Sequence, residues 1–108
     1  MRIDILTVVP GLLESPFSHS ILKRAKEKGL VEIHVHNIRD YTTTKHKSVD
    51  DYAFGGGAGM VMMIEPVVRC LEQLQTERNY DEIIFMTPDG KLLDQPMANN
   101  YSLKRNLI

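Results

Sequence analysis

Four of the seven glycines fall within positions 55–59, in the run Phe54-Gly55-Gly56-Gly57-Ala58-Gly59-Met60. Glycine accepts positive φ and lets a flat ligand or a phosphate come close to the backbone. The run is not a Walker A loop, because no Gly-Lys-Ser/Thr follows it. Nor is it a dinucleotide fingerprint, because its spacing differs and no buried strand precedes it. Just upstream stand Arg39-Asp40, the triplet Lys45-His46-Lys47 and the pair Asp50-Asp51. Lysine and arginine hold phosphate groups, whereas a carboxylate beside them is repelled by phosphate unless it reads a base edge or a proton. As bare patterns, the glycines equally suit a flexible turn and the mixed charges a solvated loop that neutralises itself.

Other chemistry-bearing residues point to structure. Glu32, His34 and His36 alternate along one strand, a spacing that suits a metal. No further Cys or His completes such a site, so no metal is expected and the three read as a solvated face. Cys70, the one cysteine, falls on an apolar helix face and reads as core. It excludes an internal disulfide and fits a reducing compartment. Met60, Met62 and Met63 read as adaptable packing beneath the loop. No Ser-His-Asp or Cys-His arrangement is legible.

The elements that must position these residues follow from periodicity. Ile3, Ile5, Leu6, Val8 and Val9 form a near-continuous apolar run closed by Pro10-Gly11, as for a strand buried on both faces. Phe17, Ile21, Leu22 and Ala25 keep helical spacing, with Gly29 as the stop. Val31, Ile33 and Val35 alternate with polar residues and predict a strand with one wet face. Residues 39–60 have no sustained period and read as a long functional loop. Pro66 opens a helix with Val67, Cys70, Leu71 and Leu74 on one face. Ile83, Ile84, Phe85 and Met86 predict a second buried strand, ended by the turn Thr87-Pro88-Asp89-Gly90. Asp94 caps a short helix, and Asn106-Leu107-Ile108 opens another strand.

This alternation argues an α/β fold with a mainly parallel sheet and flanking helices. The 108 residues, 43% apolar and 25% charged, suffice for one domain and not two. A domain that stops on an opening strand is expected to be the incomplete N-terminal part of something longer. Net charge is -1, so any basic surface is local. The clearest local excess is Lys23, Arg24, Lys26 and Lys28. No apolar run approaches the ~18–20 residues of a membrane span, and a cytoplasmic protein is expected.

Taken together, NIRDYTTTKHKSVDDYAFGGGAGMVMM resembles the signature loop of bacterial tRNA (guanine-37-N1)-methyltransferases, of the SPOUT or α/β-knot superfamily. The resemblance extends along the whole chain, through Arg24-Ala25, Gly29-Leu30, Glu65-Pro66, Thr87-Pro88 with Gly90, and Leu93-Asp94-Gln95. Ala53 departs from the family, where many members carry proline.

The resemblance implies S-adenosyl-L-methionine as cofactor, tRNA as substrate and a homodimer whose site is shared between subunits. It places Asp50 and the glycines Gly55, Gly56, Gly57 and Gly59 near the target guanine. Phe85, Met86, Thr87 and Pro88 are expected on one side of the cofactor. Lys45 and Lys47 are assigned to the tRNA backbone by charge. The family's catalytic base lies beyond the equivalent of Ile108, as do its knot segment and RNA-clamping domain. No catalytic residue is therefore expected within this chain, which is expected to be inactive alone. Two alternatives stay open, a non-catalytic RNA-binding domain and a small anion-binding regulatory α/β domain.

Overall fold

Strand β1 (Arg2–Thr7) is built from alternating branched residues and takes a parallel neighbour on each side. With β2 (Glu32–Asn37) it shares the register Arg2↔Glu32 to Thr7↔Asn37; with the short β5 (Asn106–Leu107) it pairs Arg2↔Asn106 and Ile3↔Leu107. The structure is a computed structural model that describes residues 1–43, 49–52 and 60–108. The sheet order is β2-β1-β5, so the last strand in the chain lies beside the first. Residues 81–84 flank β5 through one parallel bridge, Glu82↔Leu107. The Ile108 N–H donates to the Glu82 carbonyl (3.1 Å), and the Ile84 N–H to the Ile108 carbonyl (2.7 Å).

The predicted buried strand at 83–86 is thereby corrected. The chain pairs on one side only, as far as Ile84, and Phe85 and Met86 are 68% and 89% exposed. Their apolar run signals burial, but within the described residues this edge has no outer neighbour and the side chains stay in solvent.

Among the helices, α1 (Glu14–Phe17) and α2 (Ser20–Glu27) replace the single helix expected through Phe17–Ala25. The break falls at Ser18, whose hydroxyl donates to the Glu14 carbonyl (2.6 Å) and whose N–H donates to the Ser15 carbonyl (3.1 Å). Such local bonding competes with helix continuation. Ile21 remains 75% exposed, so the apolar face read from the sequence is only partly used. The expected stop is realised. Gly29 takes φ +70°, its N–H donates to the Lys26 carbonyl and the Leu30 N–H to the Ala25 carbonyl, the paired bonds of a Schellman cap.

The described residues of the stretch expected as an aperiodic loop carry regular elements. Ile38–Tyr41 forms a 3-10 helix capped by the Asn37 side chain, which accepts from the Arg39 N–H (3.0 Å). Strands β3 (Asp50–Tyr52) and β4 (Met60–Met62) pair antiparallel. Helix α3 (Ile64–Glu77) starts two residues before the Pro66 predicted to open it and buries Pro66, Cys70 and Leu74, one turn apart. Ile38 and Val49 are buried with them in the core, and Cys70 is core as predicted. Helix α4 (Gln95–Ser102) is capped as predicted by Asp94, which accepts from the Met97 N–H (2.9 Å). Parallel crossovers are right-handed. The steps from β1 to β2 and from 82–84 to β5 run opposite to the step from β2 to 82–84, which puts α2 and α4 on one face and α3 on the other.

The most buried polar side chain is one the apolar reading of β1 overlooked. Asp4 is 1% exposed and satisfied on all sides. Arg2 grips it with Nε–Oδ2 at 2.9 Å and Nη2–Oδ1 at 3.0 Å, His36 Nε2 donates to Oδ1 (2.7 Å), and the Tyr80 hydroxyl donates to Oδ2 (2.7 Å). Arg78 in turn donates to the Tyr80 oxygen (2.9 Å). The solvated-face reading of Glu32, His34 and His36 is corrected for His36, which faces this carboxylate. It holds for Glu32 and His34, which meet each other at 3.3 Å in exposed surroundings. Burial pushes the Asp4 carboxyl up, but the bonds from Arg2, His36 and Tyr80 together outweigh it and hold it at about 2.

Candidate functional site

In open sheets with parallel strands, ligands gather beyond the carboxyl ends of the strands. The turn after 82–84 leaves the sheet at that edge, the one that also carries Thr7 and Asn37. The turn holds the four residues expected beside a cofactor: Phe85, Met86, Thr87 and Pro88, all exposed. The Gly90 N–H donates to the Thr87 carbonyl (3.4 Å) and closes the turn. A Cβ at position 90 would come within 2.9 Å of Thr87 Oγ1, so a glycine keeps the turn tight. What results is an apolar ledge, Phe85 and Met86, beside backbone polar groups outside the strand ladder.

The acidic candidate lies on β3. Val49 is 1% exposed, and its carbonyl accepts from the Met63 N–H at the start of α3. Successive side chains on extended backbone alternate in direction. With Val49 pinned inward, Asp50 is exposed, opposite Met62 in register. Alongside, Tyr41, Thr42, Thr43, Met63, Glu65 and Pro66 line a cavity of about 10 Å³, room for one water at most. Burial pushes the Cys70 thiol up to about 11, against a hydrogen bond from Tyr41 that pulls it down. A thiol so held is not a nucleophile at neutral pH.

Of the predicted site residues, Asp50, Phe85, Met86, Thr87 and Pro88 are therefore placed, all at the surface. No hydrogen bond or ion pair joins Asp50 to the 85–88 turn among the described residues. Lys45, Lys47, Gly55, Gly56, Gly57 and Gly59 lie outside the described residues. Among those described, no group of three or more His, Cys, Asp or Glu side chains is arranged to hold a metal ion, and no helix is long and apolar enough to cross a membrane. The cluster around Asp4 is what residue-by-residue reading missed. Its only local signal is an acid inside an apolar strand, which has to find partners when buried.

Comparison with known proteins bears on these readings. The family described as tRNA (guanine-1)-methyltransferase TrmD matches residues 1–108, the whole sequence. The chain belongs to this methyltransferase family. The tRNA (guanine-N(1)-)-methyltransferases of Christiangramia forsetii and Flavobacterium johnsoniae are 65% and 66% identical to it over 108 residues, which is 100% of this chain and 48% of each relative. The crystal structure of the tRNA (m1G37) methyltransferase from Aquifex aeolicus superimposes with a TM-score of 0.89 at 27% identity, covering 99% of this chain and 48% of that one. The chain thus spans about half the length of the methyltransferases it matches. The parallel sheet with flanking helices expected from the sequence is the fold observed.

Proposed function

We propose that this chain is part of a cytoplasmic enzyme of the α/β-knot class that methylates N1 of the guanine next to the anticodon of tRNA, using S-adenosyl-L-methionine. The observation that carries the reading is the 65–66% identity sustained over all 108 residues with enzymes named for this reaction. S-adenosyl-L-methionine, when bound, supplies a methyl group already activated by its sulfonium, so alignment is the main task left to the protein. The 85–88 turn fits one side of such a group. Phe85 and Met86 offer apolar surface to an adenine or a methionine chain, and the turn's backbone offers polar atoms at the ligand-binding edge of the sheet.

On the RNA side, Asp50 accepts from the exocyclic amine of the target guanine, which leaves N1 open to the base and to the methyl. Gly55 to Gly59 allow the base close to the backbone, and Lys45 and Lys47 hold phosphates. Guanine N1 is a poor nucleophile until a base removes its proton. We assign that base to none of the residues of this chain. With the cofactor bound, the part of Asp50 and the glycines would be to hold the guanine in line with the methyl, whose transfer to N1 would leave a neutral thioether while the N1 proton passed to the base.

The test is transfer of labelled methyl from S-adenosyl-L-methionine to tRNA by a full-length protein carrying this sequence. Incorporation is expected into a transcript with G at position 37 and not with A there. Cofactor or nucleotide retention with no dependence on RNA favours the anion-binding alternative, and tRNA binding without transfer favours the non-catalytic one.

The proposal includes a homodimer. Leu12, Ile21 and Leu103 are 72%, 75% and 83% exposed, apolar side chains that a partner subunit would cover. Size-exclusion chromatography across concentration is expected to give a species larger than 12.3 kDa. A strictly monomeric elution at every concentration, with a cooperative melt, contradicts it.

A further inference from the structure

The amino edge of the sheet, opposite the 85–88 turn, carries a feature the proposed reaction does not use. Met1, Arg2, Gly29, Glu32, Arg105 and Asn106 line an open cleft of about 430 Å³. It forms where α2 ends and where β5 begins, so residues almost eighty positions apart in sequence face one space.

The charges around it are unevenly committed. Arg2 is occupied by Asp4, and Glu32 by His34 at 3.3 Å and Arg2 at 3.9 Å. Among the described residues the Met1 ammonium meets the Leu30 carbonyl, at 3.4 Å. Arg105 and Lys104 lie near Asp81, but that carboxylate is already spent on the backbone N–H groups of Arg105 (2.9 Å) and Asn106 (3.0 Å), which hold it below the usual carboxylate range. Lys28 immediately precedes the lining Gly29. On α2, Lys23 faces Glu27 at 3.9 Å and Lys26 donates to the Phe17 carbonyl (3.4 Å), whereas Arg24 and Lys28 have no ion-pair partner among the described residues. The latter two stand four residues apart, on one side of the helix.

We propose that this cleft, with the Arg24–Lys28 side of α2, is a contact surface for the phosphates of an RNA backbone. The inference rests on the tRNA reading above and extends it to a second surface. Strand β1 spans six residues, about 20 Å, so a phosphate in the cleft is well removed from the carboxyl edge where the base is proposed to bind. Contacts of this kind carry no sequence information, but they fix the register of the substrate on the protein. The cations of this edge, the Met1 ammonium, Arg24, Lys28, Lys104 and Arg105, outnumber the facing carboxylates Glu32 and Asp81, and a concave surface flanked by a guanidinium and an ammonium suits a phosphodiester.

The test compares tRNA binding across salt concentrations for a full-length protein carrying this sequence and for its Arg24→Gln, Lys28→Gln and Arg105→Gln variants, singly and together. The triple variant is expected to bind tRNA roughly tenfold or more weakly at low salt. The slope of log affinity against log salt should fall by roughly 0.7–0.9 for each phosphate that is no longer neutralised. All three positions are exposed; should the triple variant not fold, the single variants decide, each expected to lower the slope by one such step. Unchanged affinity and slope in folded variants overturn the inference while leaving the tRNA reading intact. No tRNA binding by the unaltered protein overturns both. A parallel titration uses inorganic phosphate alone. Tight saturation that the substitutions abolish, with tRNA binding indifferent to them, assigns the cleft to a free anion and overturns the RNA surface.

Discussion

Asp50→Ala is expected to lower methyl transfer to G37 by roughly a hundredfold, in a full-length protein carrying this sequence, while leaving the fold and most of the tRNA affinity in place. The magnitude follows from the value of a hydrogen bond between a charged side chain and a base edge, about 1.5–3 kcal/mol. The structure makes the substitution a clean one. Asp50 is exposed, and its strand is anchored by the neighbouring Val49, 1% exposed and bonded to the start of α3. Removing an exposed side chain next to such an anchor typically changes stability by less than about 0.5 kcal/mol. Single-turnover transfer, tRNA affinity and a thermal melt, measured on one preparation, separate the possibilities. Lys45→Ala and Lys47→Ala provide the contrast: each is expected to weaken tRNA binding broadly and to reduce its salt dependence by about one counterion. If the lysine and aspartate variants lose rate and affinity in the same proportion, the division between base contact and phosphate contact is wrong.

Arg2→Met is expected to destabilise the chain by roughly 3–5 kcal/mol, the usual cost of leaving one half of a buried ion pair behind. That is a large part of the roughly 5–15 kcal/mol that holds a typical domain together. In the unaltered chain Asp4 is held at about 2, against an ordinary 3.8. A carboxyl depressed in the folded state contributes stability that is fully present above its unfolded value and is lost as pH falls through its folded one. Asp4 therefore contributes roughly 2 kcal/mol above pH 4, lost between about pH 4 and 2. Without the Arg2 fork, burial is opposed only by His36 and Tyr80, and the Asp4 carboxyl rises. The stability advantage of the unaltered chain over Arg2→Met should then be greatest near neutral pH and shrink on acidification. Denaturant midpoints from pH 7 to pH 2.5 measure it. A constant difference across that range would show that the cost comes from poorer packing around the missing arginine stem. Adding Asp4→Leu to Arg2→Met is expected to recover much of the stability, because no buried charge then lacks its partner.

Much of what depended on neighbours along the chain was legible in the sequence, the local break at Ser18 excepted. The spacing of Val67, Cys70, Leu71 and Leu74 marks the buried face of α3, Gly29 marks the left-handed stop after α2, and Asp94 marks the cap of α4. Each is settled by contacts within about four residues, where helix geometry leaves few choices. The long ordered match of motifs likewise led to the family from the sequence. Only tertiary structure decided the rest. Asp4 finds His36 and Tyr80 across separations of 32 and 76 residues, and no local pattern tells a buried acid with three donors from an exposed one. The place of β5 between β1 and residues 82–84 depends on backbone pairing between the two ends of the chain. That same pairing ends at Ile84 and leaves Phe85 and Met86 in solvent, although their sequence reads as core. Apolar character reports a tendency to be buried; which surface does the burying is fixed by how distant strands meet.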